Sequence, residues 1–243
     1  MVAIRLDSAG IGQRLRELYG SARAFRWQRR GLRSPPWDGF GQPFNGQSAR
    51  QRTVDFLLRA FSPDTCIETG TFFGWTARQL ASYGVPLYTV EVGPVCYRVA
   101  KRHLRRLPNV TLICGDSAVV MRELTGRPEI RRPFLYLDAH WQEQVPLFDE
   151  VRSVFSRWKD ALVAIDDFHV PNDPGYGYDI YDGVPFSLEE FEIPDGTRVA
   201  YPAIAAREET GARRGCVFLG IGCDARAAIE RAEGELLTGY RAA

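Results

Sequence analysis

Residues 65–74 read Thr65-Cys66-Ile67-Glu68-Thr69-Gly70-Thr71-Phe72-Phe73-Gly74. Thr65 to Glu68 is a short buried-strand candidate, and an acid at its end runs into two glycines four positions apart. Glycines there permit a tight turn and close backbone approach to a ligand before the next helix begins. A strand that ends in such a turn and feeds a helix is the opening unit of an open α/β sheet. Ligands bind in such sheets beyond the carboxyl ends of the strands, where the strand order reverses.

The flanking sequence repeats that unit. Upstream, Val54, Leu57, Leu58 and Phe61 follow the i, i+3, i+4, i+7 rule for one buried helix face, and Pro63-Asp64 ends that helix. Downstream, a helix over about Trp75 to Tyr83 precedes a strand at Leu87 to Val90. Cys96, Val99, Ala100, His103, Leu104 and Leu107 then mark a helix stripe. Val110 to Cys114 reads as a strand, Ala118 to Leu124 as a helix and Phe134 to Leu137 as a strand. Leu147 to Trp158 carries another amphipathic stripe, and Ala161 to Ile165 is continuously apolar. Strands apolar on both faces that alternate with helices predict a mostly parallel sheet covered on both sides. The rhythm then breaks. Thr197 to Tyr201 and Gly215 to Ile221 are strand-like with only a loop between them, which predicts an antiparallel edge, and Ala225 to Leu237 reads as a closing helix. The expectation is a doubly wound, Rossmann-like α/β domain of about seven strands over residues 48–243, preceded by a basic helical arm and connector over residues 1–47.

Composition fits that class. A chain of 243 residues buries a sizeable core, and 45% hydrophobic with 25% charged residues excludes disorder and fibrous repeats. The formal charge of +1 removes any whole-protein argument for a polyanionic partner. No stretch approaches the roughly 20 apolar residues of a membrane span, and the start has no signal-peptide pattern. Five scattered cysteines without a Cys-x-x-Cys pair argue against structural zinc and a disulfide framework. Together these features predict a cytoplasmic protein.

Three strand ends carry acids. Glu68 closes the first strand and Glu91, 21 positions after Gly70, closes the second, while Asp116 and Ser117 follow the third. A carboxylate at Glu91 can accept hydrogen bonds from both ribose hydroxyls of a nucleoside, and Asp116 one from an adenine amino group. Either acid could instead cap the helix that follows it. Dinucleotide folds prefer Gly-x-Gly-x-x-Gly, whose second glycine lets the backbone reach a pyrophosphate. Here that position is Phe72, which suits a ligand without pyrophosphate. With this loop and the ordered acids, the sequence resembles the class I S-adenosylmethionine-dependent methyltransferases over roughly residues 50 to 221. The resemblance implies S-adenosylmethionine as cofactor, held by Glu68, Gly70, Thr71, Gly74, Glu91, Asp116, Ser117 and Asp138.

A second acidic group follows strands four and five, in Asp138-Ala139-His140-Trp141 and Asp166-Asp167-Phe168-His169. Adjacent parallel strands bring these ends together, and three converging carboxylates repel unless a proton is shared or a cation compensates them. Oxygen ligands suit Mg²⁺, so Asp138, Asp166 and Asp167 are candidate metal ligands; a helix cap or salt bridges are the alternative. The group also resembles that of catechol-type and macrocin-type sugar O-methyltransferases, which carry an Asp after strand four and an acidic pair after strand five. Catechol-type enzymes place a lysine base soon after the first Asp, and residues 139–145 contain none. His140, His169 and Asp138 are the candidate catalytic residues: a base would then be His140 or His169, or the metal alone would acidify the hydroxyl. His103 lies on an apolar stripe and reads as a packing residue.

Three tyrosines among glycines in residues 170–183 suit a wall for a sugar or phenolic acceptor, and Trp141 could stack on its ring. Arg14, Arg16, Arg23, Arg26, Arg29, Arg30 and Arg33 interleave with Phe25, Trp27 and Leu32. That arm suits a lid, an interface with another copy of the chain, or a solvated helix face. The reading is a Mg²⁺-dependent O-methyltransferase acting on a small hydroxylated acceptor. Two alternatives stand beside it: an NAD(P)-dependent oxidoreductase, and a nucleic-acid-binding or nucleic-acid-methylating protein using the arm. The missing second glycine argues against the first and the near-neutral charge against the second.

Overall fold

Cys66, Phe134, Tyr136, Leu162 and Ala164 pack into one hydrophobic cluster, while Ile67, Leu135, Leu137, Val163 and Ile165 pack into another. Successive side chains of a strand point to opposite faces, so strands apolar at every position must be covered on both. The computed structural model of the protein describes residues 42–139 and 145–240, and it shows that three-layer arrangement.

In chain order the described elements begin with α1 (Ser48–Phe61), β1 (Thr65–Thr69), α2 (Trp75–Ala81), β2 (Leu87–Glu91), α3 (Pro94–Leu104), β3 (Val110–Cys114) and α4 (Ser117–Thr125). They continue with β4 (Pro133–Leu137), α5 (Leu147–Arg157), β5 (Ala161–Asp166), the small pair β6 (Ile180–Tyr181) and β7 (Val184–Pro185), and β8 (Arg198–Pro202). The last are β9 (Cys216–Ile221), α6 (Gly222–Ala232) and β10 (Leu237–Gly239). The main sheet has eight strands in the order β10-β8-β9-β5-β4-β1-β2-β3. Strands β1 to β5 run parallel, and β9 enters antiparallel beside β5, with Asp166 opposite Cys216. Helices α1, α2, α3 and α6 cover one face, and α4 and α5 the other. The order reverses between β1 and β4, which places the ends of those two strands at the switch point.

Two boundaries differ from the sequence expectation. The closing helix stops at Ala232, and Gly234, at φ +88°, turns the chain so that Leu237 pairs with Pro202 as an eighth strand. Apolar Leu236-Leu237 extended the helical reading, but the glycine supplies the left-handed turn that a helix does not use. Pro43 to Gln47, read as connector, pack into the domain. Phe44 is buried with its ring edge-on to Tyr136 at 5.1 Å, worth roughly 2 kcal/mol of apolar burial. The arm itself, residues 1–41, lies outside the described residues. Among those described, no helix is long and apolar enough to cross a membrane.

Candidate active site

The turn after β1 hangs on β2: the N–H groups of Gly70 and Thr71 both donate to the Val90 carbonyl at 3.0 Å. Gly70 has φ +81°, and a Cβ there would lie 2.2 Å from the Asp138 carbonyl oxygen. Glycine is therefore required twice, by conformation and by the approach of the β4 end. Phe72 also adopts the left-handed region, at φ 50°, and its ring stacks on Phe73 with centroids 3.8 Å apart. Its N–H donates to Glu91 Oε2 at 2.6 Å, while Gly93 N–H donates to Oε1 at 2.7 Å. Glu91 thus ties the turn to the start of α3. A carboxylate oxygen carries more than one lone pair, so an acceptor of this kind suits paired hydroxyls.

Glu68 plays a different part. It is 1% exposed, takes a hydrogen bond from Thr89 Oγ1, and that hydroxyl lies 2.5 Å from Thr71 Oγ1. Burial pushes its carboxyl up to about 8, with the Thr89 hydrogen bond opposing and Glu91 adding to the rise. Glu68 braces the turn from within. Asp116 is exposed and caps α4, accepting Val119 N–H at 3.1 Å, and Ser117 is buried in the first turn. Gly74, at φ +81°, is the N-cap of α2, against the Leu104 side chain. Two residues missed in the sequence, Val92 and Val119, stand exposed beside Glu91 and Asp116 at 65% and 45%. The signal was an apolar residue one position after Glu91 and three after Asp116, with no place on a core stripe.

At the ends of β4 and β5 the structure brings the acids together but pairs them with arginines. Asp166 is fully buried; Oδ1 meets Arg50 Nη1 and Asp167 N–H, and Oδ2 accepts Tyr136 Oη–H at 2.6 Å and Asn45 Nδ2–H at 2.9 Å. Asp167, at φ 55°, takes Arg214 Nε–H, and Arg214 Nη2 reaches Asp179. Asp138 lies between this network and the Gly70 turn. Burial, and then Asp166, Asp167 and Glu68, push its carboxyl well above the usual carboxylate range against the pull of Arg50. Among the described residues, no group of three or more His, Cys, Asp or Glu could hold a metal ion. Every Asp166 oxygen is already engaged by donors. The positive charge set against Asp166 and Asp167 comes from distant helix and loop positions, Arg50 of α1 and Arg214.

Arg50 was legible only as a charged residue on the apolar stripe of α1, four positions before Val54. Its place is built. The N–H groups of Ala49 and Arg50 donate to the buried Glu209 carboxylate, and Ser48 N–H donates to Thr210 Oγ1. Glu150, fully buried on α5, accepts Thr69 Oγ1–H at 3.1 Å and holds the end of β1. His169 packs edge-on against Tyr178 at 4.8 Å, and its backbone N–H donates to the Phe186 carbonyl. His103 meets the Phe73 carbonyl and Trp75, the packing role expected of it. His140 and Trp141 lie outside the described residues. Of the three loop tyrosines, Tyr176 belongs to the core, its hydroxyl donating to the Ile204 carbonyl at 3.0 Å. Tyr181 stacks on Phe186.

No family model matches the chain. No curated protein matches it either. Solved structures do. The O-methyltransferase TomG from Streptomyces achromogenes, involved in tomaymycin synthesis and in complex with S-adenosylmethionine, aligns with a TM-score of 0.53 at 16% identity, covering 91% of this chain and 93% of its own. An O-methyltransferase from Bacillus cereus, in complex with S-adenosylhomocysteine, gives 0.55 at 14% identity, covering 90% and 93%. Likeness at this identity speaks to architecture, and the architecture of this chain is the class I methyltransferase fold.

Proposed function

We propose that the protein is an S-adenosylmethionine-dependent O-methyltransferase acting on a small hydroxylated acceptor such as a sugar or a natural product. The observation that carries this is the Glu91 carboxylate, held by the Phe72 and Gly93 N–H groups at the end of β2, one strand from the switch point of a methyltransferase fold. Glu91 suits the ribose hydroxyls, Asp116 an adenine amino group, and exposed Val92 and Val119 the two faces of a base. The Phe72 side chain stands where a pyrophosphate site would need glycine, which disfavours a nicotinamide cofactor.

S-adenosylmethionine, when bound, supplies its methyl group as an electrophile whose C–S bond breaks as the C–O bond to the acceptor forms. The chain must position the acceptor hydroxyl and take its proton. Asp138 adjoins both the Gly70 turn and the acidic group, which makes its carboxylate the group placed to take that proton. Most of the rate then comes from positioning and a fixed electrostatic environment.

Calorimetric titration of the full chain with S-adenosylhomocysteine, beside an NADH control, tests the cofactor class. Micromolar binding of the first alone is expected. Binding of NADH alone would remove the methyltransferase reading.

A further inference from the structure

The strand-end carboxylates have a compensating charge within the chain. Asp166 receives Arg50 Nη1, Tyr136 Oη, Asn45 Nδ2 and the Asp167 N–H, and is fully buried. Arg214 bridges Asp167 and Asp179 through two different nitrogens, the fork geometry for which guanidinium is suited. We infer that Arg50 and Arg214 occupy the role of a divalent cation, so that the acceptor hydroxyl is placed by hydrogen bonding and not by chelation to a metal held between Asp138, Asp166 and Asp167.

Arg50 is not free to yield its place. Its side chain is 2% exposed, a second guanidinium nitrogen donates to the Arg214 carbonyl, and the first turn of its helix is fixed by Glu209 and Thr210. The segment before it is fixed as well. Gln47 exchanges two hydrogen bonds with the Arg214 backbone, its Nε2 donating at 3.0 Å and its Oε1 accepting at 2.7 Å. Asn45 carbonyl accepts Ala212 N–H, and a Cβ on Gly211 would lie 2.3 Å from that same oxygen. A metal would have to displace a buried guanidinium and its whole setting, and then meet Asp166 oxygens already satisfied by three neutral donors. The consequence concerns substrate class. An acceptor that does not chelate needs one hydroxyl, so a vicinal diol or catechol gains no advantage over an isolated hydroxyl.

The inference rests on the methyltransferase reading for what this side of the site accepts, but metal binding is measured without turnover. Mn²⁺ titration of the full chain, followed by electron paramagnetic resonance with and without S-adenosylhomocysteine, is expected to show no saturable binding below millimolar concentration. The unfolding midpoint should be the same in chelator and in Mg²⁺. Arg214→Gln, which uncovers Asp167 and Asp179 at a half-buried position, should strengthen Mn²⁺ binding at least about tenfold, the ratio set by 1.4 kcal/mol. Stoichiometric micromolar Mn²⁺ binding to the unaltered chain, lost in Asp167→Asn, would overturn the inference. Arg214→Gln without any gain would show that Arg214 is not the compensating charge. Failure of S-adenosylhomocysteine to bind would bear on the proposed function alone and leave the metal result standing.

Discussion

Glu91 and Phe72 meet between the ends of β2 and β1, the backbone N–H of Phe72 donating to Glu91 Oε2 at 2.6 Å from a residue in the left-handed region. The carboxylate therefore shapes the turn before any ligand arrives, and the turn in turn fixes where the carboxylate points. Glu91→Gln removes the charge and leaves one amide oxygen where two acceptors stood. Hydrogen bonds to a charged group are worth about 1.5–3 kcal/mol. S-adenosylhomocysteine affinity should fall roughly ten- to hundredfold by calorimetry, at about 1.4 kcal/mol per decade. An unchanged affinity would mean that Glu91 serves only the turn.

Gly70→Ala should be more damaging to the site than its size suggests. A left-handed backbone costs an alanine about 1–2 kcal/mol, and the added Cβ would press on the Asp138 carbonyl at 2.2 Å. The turn and the end of β4 must separate. We expect a lower unfolding midpoint together with loss of S-adenosylhomocysteine binding, whereas Gly84→Ala, with open space at a similar φ of +80°, should cost stability alone.

The parts of the site visible in the sequence are those set by local rules. Apolar strands followed by acids located Glu68, Glu91, Asp116, Asp138 and Asp166 at strand ends, because a parallel sheet covered on both faces leaves its charged residues mainly there. What each acid does was not visible, because a partner can lie anywhere in the chain. Arg50 is 116 positions from Asp166 and Arg214 is 47 from Asp167. Three converging carboxylates correctly called for positive charge, and sequence spacing could not distinguish a metal from two arginines brought in by α1 and the β8–β9 connection. Gly234 shows the same limit in the fold: helix periodicity runs through Leu237, and only the pairing of Leu237 with Pro202 decides for a strand.

Burial of Glu68 makes stability depend on pH. Its carboxyl is raised from 4.5 to about 8 on folding, so between those values the folded chain holds a proton that the unfolded chain has released. The stabilising contribution is full below about pH 4.5 and is lost as pH rises through 8, with a slope of at most about 1.4 kcal/mol per pH unit. Glu68→Gln keeps a neutral group that can still accept the Thr89 hydrogen bond. Urea unfolding should show a shallower fall in stability between pH 5 and pH 9 in the variant, at about the slope just given. Parallel curves for the two proteins would mean that Glu68 is ionised in the fold.

Asp138→Asn separates chemistry from cofactor binding. If the Asp138 carboxylate takes the acceptor proton, its loss should lower kcat by about 10²–10⁴. Affinity for S-adenosylhomocysteine should stay within about threefold, or about 0.7 kcal/mol. Equal losses in both would place Asp138 in the cofactor site and move the base elsewhere.

Arg50 and Asp166 supply the last test, of the network that organises the acceptor side. Removing one member of a buried ion pair strands the other, at a cost of about 3–5 kcal/mol, whereas removing both charges is far cheaper. Arg50→Met alone leaves Asp166 buried with Tyr136 and Asn45 but without a cation, and should lower stability by that amount. Adding Asp166→Asn removes the stranded charge and keeps an amide able to pair with the Tyr136 hydroxyl. The double variant should recover at least half of the loss in urea unfolding, and the coupling between the two sites should exceed about 1 kcal/mol. Simple additivity would mean that the guanidinium is held by packing and by the Arg214 carbonyl, and that Asp166 does not depend on it for its charge.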